Sequence, residues 1–437
     1  MSIASAIESD PSKSFPKTFQ DRSQLEALYR FLGNDRIDLP ELLYGHFEKT
    51  LERCQRHEVC LALHDTTAFT FKGEHSDLGT VDRSKQGFYG HFCLAVTPGE
   101  HREPLGLLAV DTWLRHKKKG KRTTTARKKE KDLESARWLR QSQEVEDLAD
   151  GLVALIHVED REGDIYESLT TRLEEGHRFI VRGQSVKVVL VEDAAENVRE
   201  HARSLPRQLT RTVDLSRRKL KPGLRMQARA RRQREAVMEI AASKVHLRRP
   251  LRDSTGPESI PVSLIHVIET GDVPEGEDRM EWLLYSSEPI ETPEQIEFIV
   301  DGYRSRWLIE EYFKALKTGC SYEKRQLESG DALRRALGLF AVQAWRLLTL
   351  RFIERNAQED LPAETIATDA ELGVLRAKKL ISRRKKPTAG EYLRAVAKMG
   401  GHLPNNGPPG YRLLWDGFRE LQALARGWVL ARSCDQW

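Results

Sequence analysis

Apolar and polar positions change rhythm several times along the chain, and the changes mark its elements. Residues 1 to about 58 read as short helices, with the amphipathic "QLEALYRFL" set between the breakers "SDPSKSFP" and "GNDRIDLP". From Val59 the texture turns to apolar runs, "VCLALHD", "FTF", "HFCLAVT" and "EPLGLLAVDTW", which predict an antiparallel meander. A charged helical pattern at about 130–148 follows, then the run "GLVALIHVED", a helix "IYESLTTRLEEG" and a strand "RFIVR". Strands paired first as a meander and then interleaved with helices predict a mixed α/β core. Residues 183–290 form a long, less regular block that ends in the strand-like "MEWLLYSSEP". A helix starts near Pro293, and 322–437 is helical again, interrupted by the loops "SRRKKPTAG" and "GGHLPNNGPPG". No internal repeat is visible.

Two apolar runs, "CLALHD" and "VALIHVED", each end in an aspartate, Asp65 and Asp160. Continuous apolar runs are expected of buried central strands, and ligands of α/β sheets sit at the carboxyl ends of such strands. An aspartate there can also simply cap a turn, as "DTT" and "DREGD" would allow. A third carboxylate lies in "YRSRWLIEEYFKALKTG", Tyr303 to Gly319. At about 100° per residue, Tyr303, Arg306, Glu310 and Lys317 share an arc of about 60°, a polar stripe beside an apolar face that would leave Glu310 half-buried. The plain alternative is an exposed helix laced with Glu/Lys/Arg pairs. If the three carboxylates converge, cations must compensate them, and hard oxygen ligands suit Mg²⁺ or Mn²⁺; two such ions serve in-line phosphoryl displacement.

Composition changes the picture in two places. The chain has 437 residues, enough for two or three domains, with 71 Lys+Arg against 66 Asp+Glu and a net charge of only +5. That total conceals two basic runs: Arg203–Arg249 holds 15 Lys/Arg against three Asp/Glu, and Arg115–Lys131 ten against one. Runs that flank a phosphoryl-transfer site favour a polyanion partner over mere solvation. Cys54, Cys60, Cys93, Cys320 and Cys434 make no CxxC or Cys/His cluster, which argues against a zinc site or a disulfide framework and for a reducing setting. His46, His57, His64, His91 and His157 show no metal-ligand spacing. "LGLFAVQAWRLLTLRFI" is broken by Arg346 and Arg351, so no membrane span is expected. Of the neighbouring acids, Glu159, Glu162, Asp164 and Glu311 are read as structural, since strand alternation turns Glu159 away from Asp160 and Glu311 lies about 100° round the helix from Glu310.

The spacing Tyr303-(2)-Arg306-(3)-Glu310-(6)-Lys317 resembles the Y-R-E-K signature of DDE transposases of the insertion-sequence-four family. "HDTTAFTF" and "EDREGDIYESL" are similar to that family's segments around its two catalytic aspartates, and "EWLLYSSEP", "GFYGHFCLAV" and "LLWDGFRELQALARG" extend the likeness. The resemblance implies an α/β fold with a ribonuclease H-like catalytic core (59–182 and 291–321), a β-rich basic insertion (183–290), a helical DNA-binding segment (1–58) and a helical C-terminal dimerisation region (322–437). It implies Asp65, Asp160 and Glu310 as ligands of two Mg²⁺ ions, for which Mn²⁺ can substitute. Tyr303, Arg306 and Lys317 would grip phosphates, Arg182 would contact DNA, and Trp282 would stack on a flipped base. The partners it implies are double-stranded DNA, as transposon-end inverted repeats and as target, and a second copy in a synaptic homodimer, in the bacterial cytoplasm at the nucleoid.

The function so implied is cut-and-paste transposition: nicking, hairpin formation and resolution, then strand transfer. The alternative is a non-cutting regulator that binds DNA or forms mixed dimers with a full-length transposase, and a general metal-dependent nuclease explains the acids but not the stripe. Only 26 residues precede Ala27, and "MSIASAIESDPSKSFPKTFQ" carries Lys13 and Lys17 as its only cations. The resemblance places a basic helical segment with a D-x-R-R type motif well upstream of the tract matching "ALYRFLGN", so a first segment shortened by a late start codon or by natural truncation, binding end DNA weakly, is expected.

Overall fold

The computed structural model describes residues 14–19, 21–73, 75–81, 85–115, 136–191, 194–215, 217, 229–251, 256–355, 361–403, 405 and 409–434. The basic run Arg115–Lys131, apart from Arg115, lies outside the described residues, as do 216 and 218–228 of the second run. Helices α1 (Phe15–Thr18), α2 (Arg22–Gly33) and α3 (Leu39–Cys54) lead into strands β1 (Cys60–Thr70), β2 (Gly79–Val81), β3 (Lys85–Val96) and β4 (Pro104–Trp113). Next come α4 (Ala136–Ala149), β5 (Leu155–Glu159), α5 (Tyr166–Glu175) and β6 (Arg178–Arg182). Strands β7 (Val188–Val191) and β8 (Ala194–Asn197), helix α6 (Val198–Ser204), and strands β9 (Leu209–Leu215), β10 (Arg234–Arg248), β11 (Ser259–Glu269) and β12 (Glu281–Ser286) follow. The chain closes with α7 (Pro293–Ser305), α8 (Trp307–Lys314), a π-helical turn (Ala315–Gly319), α9 (Gly330–Arg355), α10 (Asp369–Ala377), α11 (Ala389–Met399) and α12 (Tyr411–Cys434). Starts are written locally: Thr292/Gln295, Thr368/Glu371 and Thr388/Glu391 form capping boxes on α7, α10 and α11.

All twelve strands join one mixed sheet in the order β2-β3-β1-β5-β6-β12-β11-β10-β7-β8, with β4 on β3 and β9 on β10. β1 is antiparallel to β3 but parallel to β5, and β5 is parallel to β6. The block 183–290 is not a separate sheet: β12 pairs antiparallel with β6, so the β6 edge of the part formed by β1 to β6 is covered and the sheet continues through β11 and β10. "CLALHD" and "FTF", expected as two strands, form the single strand β1, because β3 pairs with it all the way from Leu61↔Val96 to Thr70↔Gly87. Asp65 is thus mid-strand in the antiparallel ladder, though it lies just past the last parallel pair, Leu63↔Val158.

Side-chain alternation builds three layers on this sheet. Leu61 and Leu63 of β1, Ile156 and Val158 of β5, Ile180 of β6 and Leu284 of β12 face α7 and α8, packing with Ile299, Val300, Tyr303 and Ile309. The alternate residues Cys60, Ala62 and Leu155 face α3 and α4, while Phe179, Val181 and Tyr285 face α5 and α6. Helix α9 is long and apolar enough to cross a membrane by length and composition; in the fold Leu333, Leu337, Phe340 and Ala344 are buried in the main core. Phe15 of α1 stacks on Phe340, so the N-terminal and C-terminal helices share that core rather than flanking it separately.

Candidate active site and nucleic-acid cleft

The alternation that buries Leu61, Leu63, Ile156 and Val158 also dictates where the next residues of the same parity point. Asp65 follows Leu63, and Asp160 follows Val158, so both carboxylates are on the α7–α8 face; extending the Leu63↔Val158 register by two residues sets them side by side. On β6 the face that holds Ile180 carries Arg182, and on β12 the face that holds Leu284 carries Trp282. Four of the expected site residues therefore leave adjacent strands toward one pair of helices.

The helix expected to run unbroken from Tyr303 to Gly319 is broken twice. At Arg306 the hydrogen bonds tighten to three-residue spacing, Arg306 N–H to Tyr303 O at 3.1 Å and Ile309 N–H to Arg306 O at 3.2 Å, and the backbone turns between α7 and α8. At Ala315 the chain widens into the π-helical turn. A stripe drawn at a uniform 100° per residue cannot survive both changes. Tyr303, expected on the polar stripe, is buried, its ring meeting Trp282 edge to face at 5.2 Å. Glu310, expected half-buried, keeps 54% of its side chain exposed. Lys317 is carried away to β1, where Nζ donates to Ala68 O at 2.6 Å and lies 5.3 Å from the Phe69 ring.

Arg306 links the acids. One guanidinium nitrogen donates to Asp65 Oδ2 at 2.9 Å and another to Glu310 Oε1 at 2.5 Å. Burial, against the pull of Arg306 and with the help of the charges of Asp160 and Glu310, pushes the Asp65 carboxyl up to about 6. Burial alone would weaken the Arg306 charge, but Asp65 first, then Tyr303, Glu310 and Asp160, hold it above its ordinary value. Three carboxylates from three elements thus act on one another electrostatically around a single guanidinium. Asp65 Oδ1 also accepts the Thr66 N–H at 2.8 Å, and Asp160 Oδ1 accepts the Glu162 N–H at 2.8 Å in the turn that follows β5. Among the described residues no three His, Cys, Asp or Glu side chains are grouped closely enough to hold a metal ion. The donor type, carboxylate oxygen, suits Mg²⁺ or Mn²⁺; the counter-charge between Asp65 and Glu310 is Arg306.

The neighbouring acids are engaged elsewhere. Glu159 pairs with buried Arg172 at 2.5 Å, Asp164 with Lys187, and Glu311 with Lys314. Beneath Asp65, on the opposite face of the sheet, lies a polar layer that the sequence did not reveal. His64 Nε2 meets His157 Nδ1 at 2.8 Å, His157 Nε2 meets Glu146 at 2.9 Å, and His64 Nδ1 meets Gln141 at 3.1 Å.

Beside Glu310 a cleft of about 1200 Å³ opens, lined by Arg182, Trp282, Tyr303, Arg306 and Glu310 together with Arg161 and Arg199. It unites five of the eight expected site residues; Asp65, Asp160 and Lys317 are not on its wall. Arg102, Arg161 and Arg304 also line it. They went unnoticed in a chain with 71 Lys+Arg, although Arg161 directly follows Asp160 and Arg304 stands two residues before Arg306.

Residues 1–37 match the family described as transposase DNA-binding, which supports a DNA-binding segment of transposase type at this end of the chain. The match covers the cation-poor stretch from which weak end binding is expected. Among solved structures the fold is similar to a piggyBac transposase synaptic complex with hairpin DNA, at 11% identity over 88% of this chain and 70% of that one, with a TM-score of 0.31, a likeness too slight to carry further weight.

Proposed function

We propose that the chain is a DDE transposase of the cut-and-paste type, with Asp65, Asp160 and Glu310 as its catalytic carboxylates. The observation that carries this reading is the pairing of Arg306 with both Asp65 and Glu310, with Asp160, two residues past the parallel register shared by β1 and β5, acting electrostatically on Asp65 and Arg306. The match of residues 1–37 to a transposase DNA-binding family supports it independently. The five-stranded part β4-β3-β1-β5-β6, an antiparallel trio joined to two parallel strands, is the arrangement we read as a ribonuclease H-like core.

In this reading Asp65, Asp160 and Glu310 would hold two Mg²⁺ ions, or Mn²⁺ in their place, once drawn together around them, and the metal would supply activation of the attacking oxygen and stabilisation of the leaving one. Arg306, Arg182 and Arg161 bind the phosphates of the scissile strand in the cleft, and Trp282, seated against the buried Tyr303, offers aromatic surface to a displaced base. The chemistry is a sequence of in-line displacements at phosphorus. Water cuts one strand and leaves a 3′-OH; that hydroxyl attacks the opposite strand, forming a hairpin and releasing the flanking DNA. A second water opens the hairpin, and the same 3′-OH then attacks target DNA. Each step exchanges one phosphodiester P–O bond for another or for P–OH, so no oxidant or energy carrier is required.

The test is incubation of the protein with duplex carrying the inverted repeats that flank its own gene, with and without Mg²⁺. Hairpin-ended and released fragments are expected only with metal. Binding without any cleavage would overturn the enzyme reading in favour of a non-cutting regulator.

A further inference from the structure

Three guanidinium groups that line the cleft, from separate parts of the chain, converge on one carboxylate. Asp301 Oδ1 on α7 meets Arg304 one turn along at 2.9 Å, Arg211 of β9 at 3.1 Å and Arg102 of the β3–β4 loop at 3.5 Å. All four side chains are partly open, between 17% and 31% exposed. Three positive charges against one negative leave a local charge of +2. Arginine does not discharge in a protein, and each guanidinium has five N–H donors, so one carboxylate oxygen leaves most of the donor capacity of this cluster unspent.

Arg102 is set in place at some cost. Its φ of 53° lies in the left-handed region that side chains other than glycine seldom use, and Nε donates to Gly99 O at 3.2 Å. Burial and then the neighbouring Arg304 push the Arg102 guanidinium below its ordinary value, an effect that Asp301 only partly offsets. The cluster differs from the nearby one on Glu281, where both carboxylate oxygens are taken by Arg199, Arg203 and His266. Around Glu281 the acid is the saturated centre; around Asp301 the cations are in excess.

Resting on the reading of the cleft as a DNA-binding surface, we propose that Arg102, Arg211 and Arg304 form a binding site for a backbone phosphate of duplex DNA, separate from the Asp65–Arg306–Glu310 centre. A phosphodiester brings one negative charge and two unesterified oxygens, which suit the forked geometry of arginine. Asp301 holds the three forks together until the phosphate arrives. The site draws on the core (Arg102), the strands that extend the sheet (Arg211) and the helix that precedes Glu310 (Arg304), so DNA seated there would fix these three parts relative to one another.

The test is fluorescence anisotropy of the full chain on labelled duplex across a series of KCl concentrations, for the wild type and for Arg102→Gln, Arg211→Gln, Arg304→Gln and Asp301→Asn. Each arginine variant is expected to bind more weakly, with the slope of log K against log salt flattened by roughly one unit. Asp301→Asn keeps an acceptor oxygen and removes the competing charge, so it should bind more tightly and with a steeper slope. Arg140→Gln, outside the cleft, should match the wild type. Unchanged slopes in all three arginine variants, or weaker binding by Asp301→Asn, would overturn the site, and the latter variant decides the matter even if an arginine variant does not fold. Inorganic phosphate at constant ionic strength should displace DNA only weakly; efficient displacement would mark a small-anion site and overturn the assignment to DNA. A wild type that binds no DNA would refute the reading of the cleft itself, whereas salt-dependent binding untouched by these variants would refute only this site.

Discussion

Arg306 decides how the carboxylates behave in the protein without DNA. It bonds Asp65 and Glu310 at once, so a divalent cation at the proposed metal site would have to compete with a guanidinium already in place. Arg306→Gln should therefore raise the affinity of DNA-free protein for Mn²⁺ by roughly tenfold, about 1.4 kcal/mol, as read by electron paramagnetic resonance of free Mn²⁺, while weakening DNA binding. Unchanged Mn²⁺ affinity would show that Arg306 does not stand between metal and acids. Asp65→Ala, Asp160→Ala and Glu310→Ala should each abolish nicking and strand transfer while leaving DNA binding intact, and full cleavage by any of them would remove that residue from the catalytic set. The buried histidines give a stability effect of definite sign. Burial holds His64, His91 and His157 well below the ordinary imidazole value, so the folded state takes up these protons less readily than the unfolded one. Their contribution is complete above the unfolded value near 6.5 and is lost as pH falls below it. Thermal melts should show stability declining from neutral pH toward pH 5 or so, and His91→Gln, if it folds, should flatten that decline; a melting temperature independent of pH across this window would contradict it.

At the scale of elements, the sequence made legible what local pattern controls. The strand end before Asp160, the helix start at Pro293, and strands β5, β6 and β12 all follow from apolar runs, capping residues and breakers near them in the chain, whereas the strand expected to end at Asp65 runs on to Thr70 because β3 pairs with it throughout. What was hidden depends on partners far away. The break at Arg306 leaves no trace in the periodicity, because "YRSRWLIEEYFK" reads as a good helix throughout, and only its contact with the sheet turns Tyr303 inward onto Trp282. The strands of 183–290 were obscured because β10 alternates apolar with charged residues, which is what a strand with one open face requires. Trp282 packs on Tyr303 and lines the cleft, where base contact is proposed for it. Because it packs edge to face on Tyr303 and is partly exposed in the cleft, Trp282→Ala should lower stability by about 1–3 kcal/mol and slow hairpin formation more than the first nick. Equal slowing of both steps in a time course would reduce its role to packing.

On the scale of the whole molecule, the question is which surface pairs two copies, as the proposed synaptic complex requires. Helix α12 lies in the region 322–437 for which the family resemblance implies dimerisation, and its apolar residues are divided between the core and the surface. Trp415, Leu421 and Ala425 are buried, and the Trp428 indole packs within about 3.2 Å of where a side chain on Gly373 of α10 would stand. Its outer positions remain apolar: Leu424 is 41% and Val429 56% exposed. Removing the chain beyond Gly400 would strip Trp415 and Leu421 from the core as well, so loss of pairing in such a variant would say nothing about the surface. Point charges on the outer face separate the two effects. Leu424→Glu and Val429→Glu should leave melting within about 0.5 kcal/mol of the wild type, as exposed substitutions generally do. Binding to a single DNA end should likewise be preserved, but each charge would have to be buried in any interface that uses this face. If α12 pairs the copies, sedimentation of the protein on end-bearing duplex should show the two-end complex reduced at least tenfold in the double variant with the one-end complex intact. Undiminished pairing would move the interface away from α12.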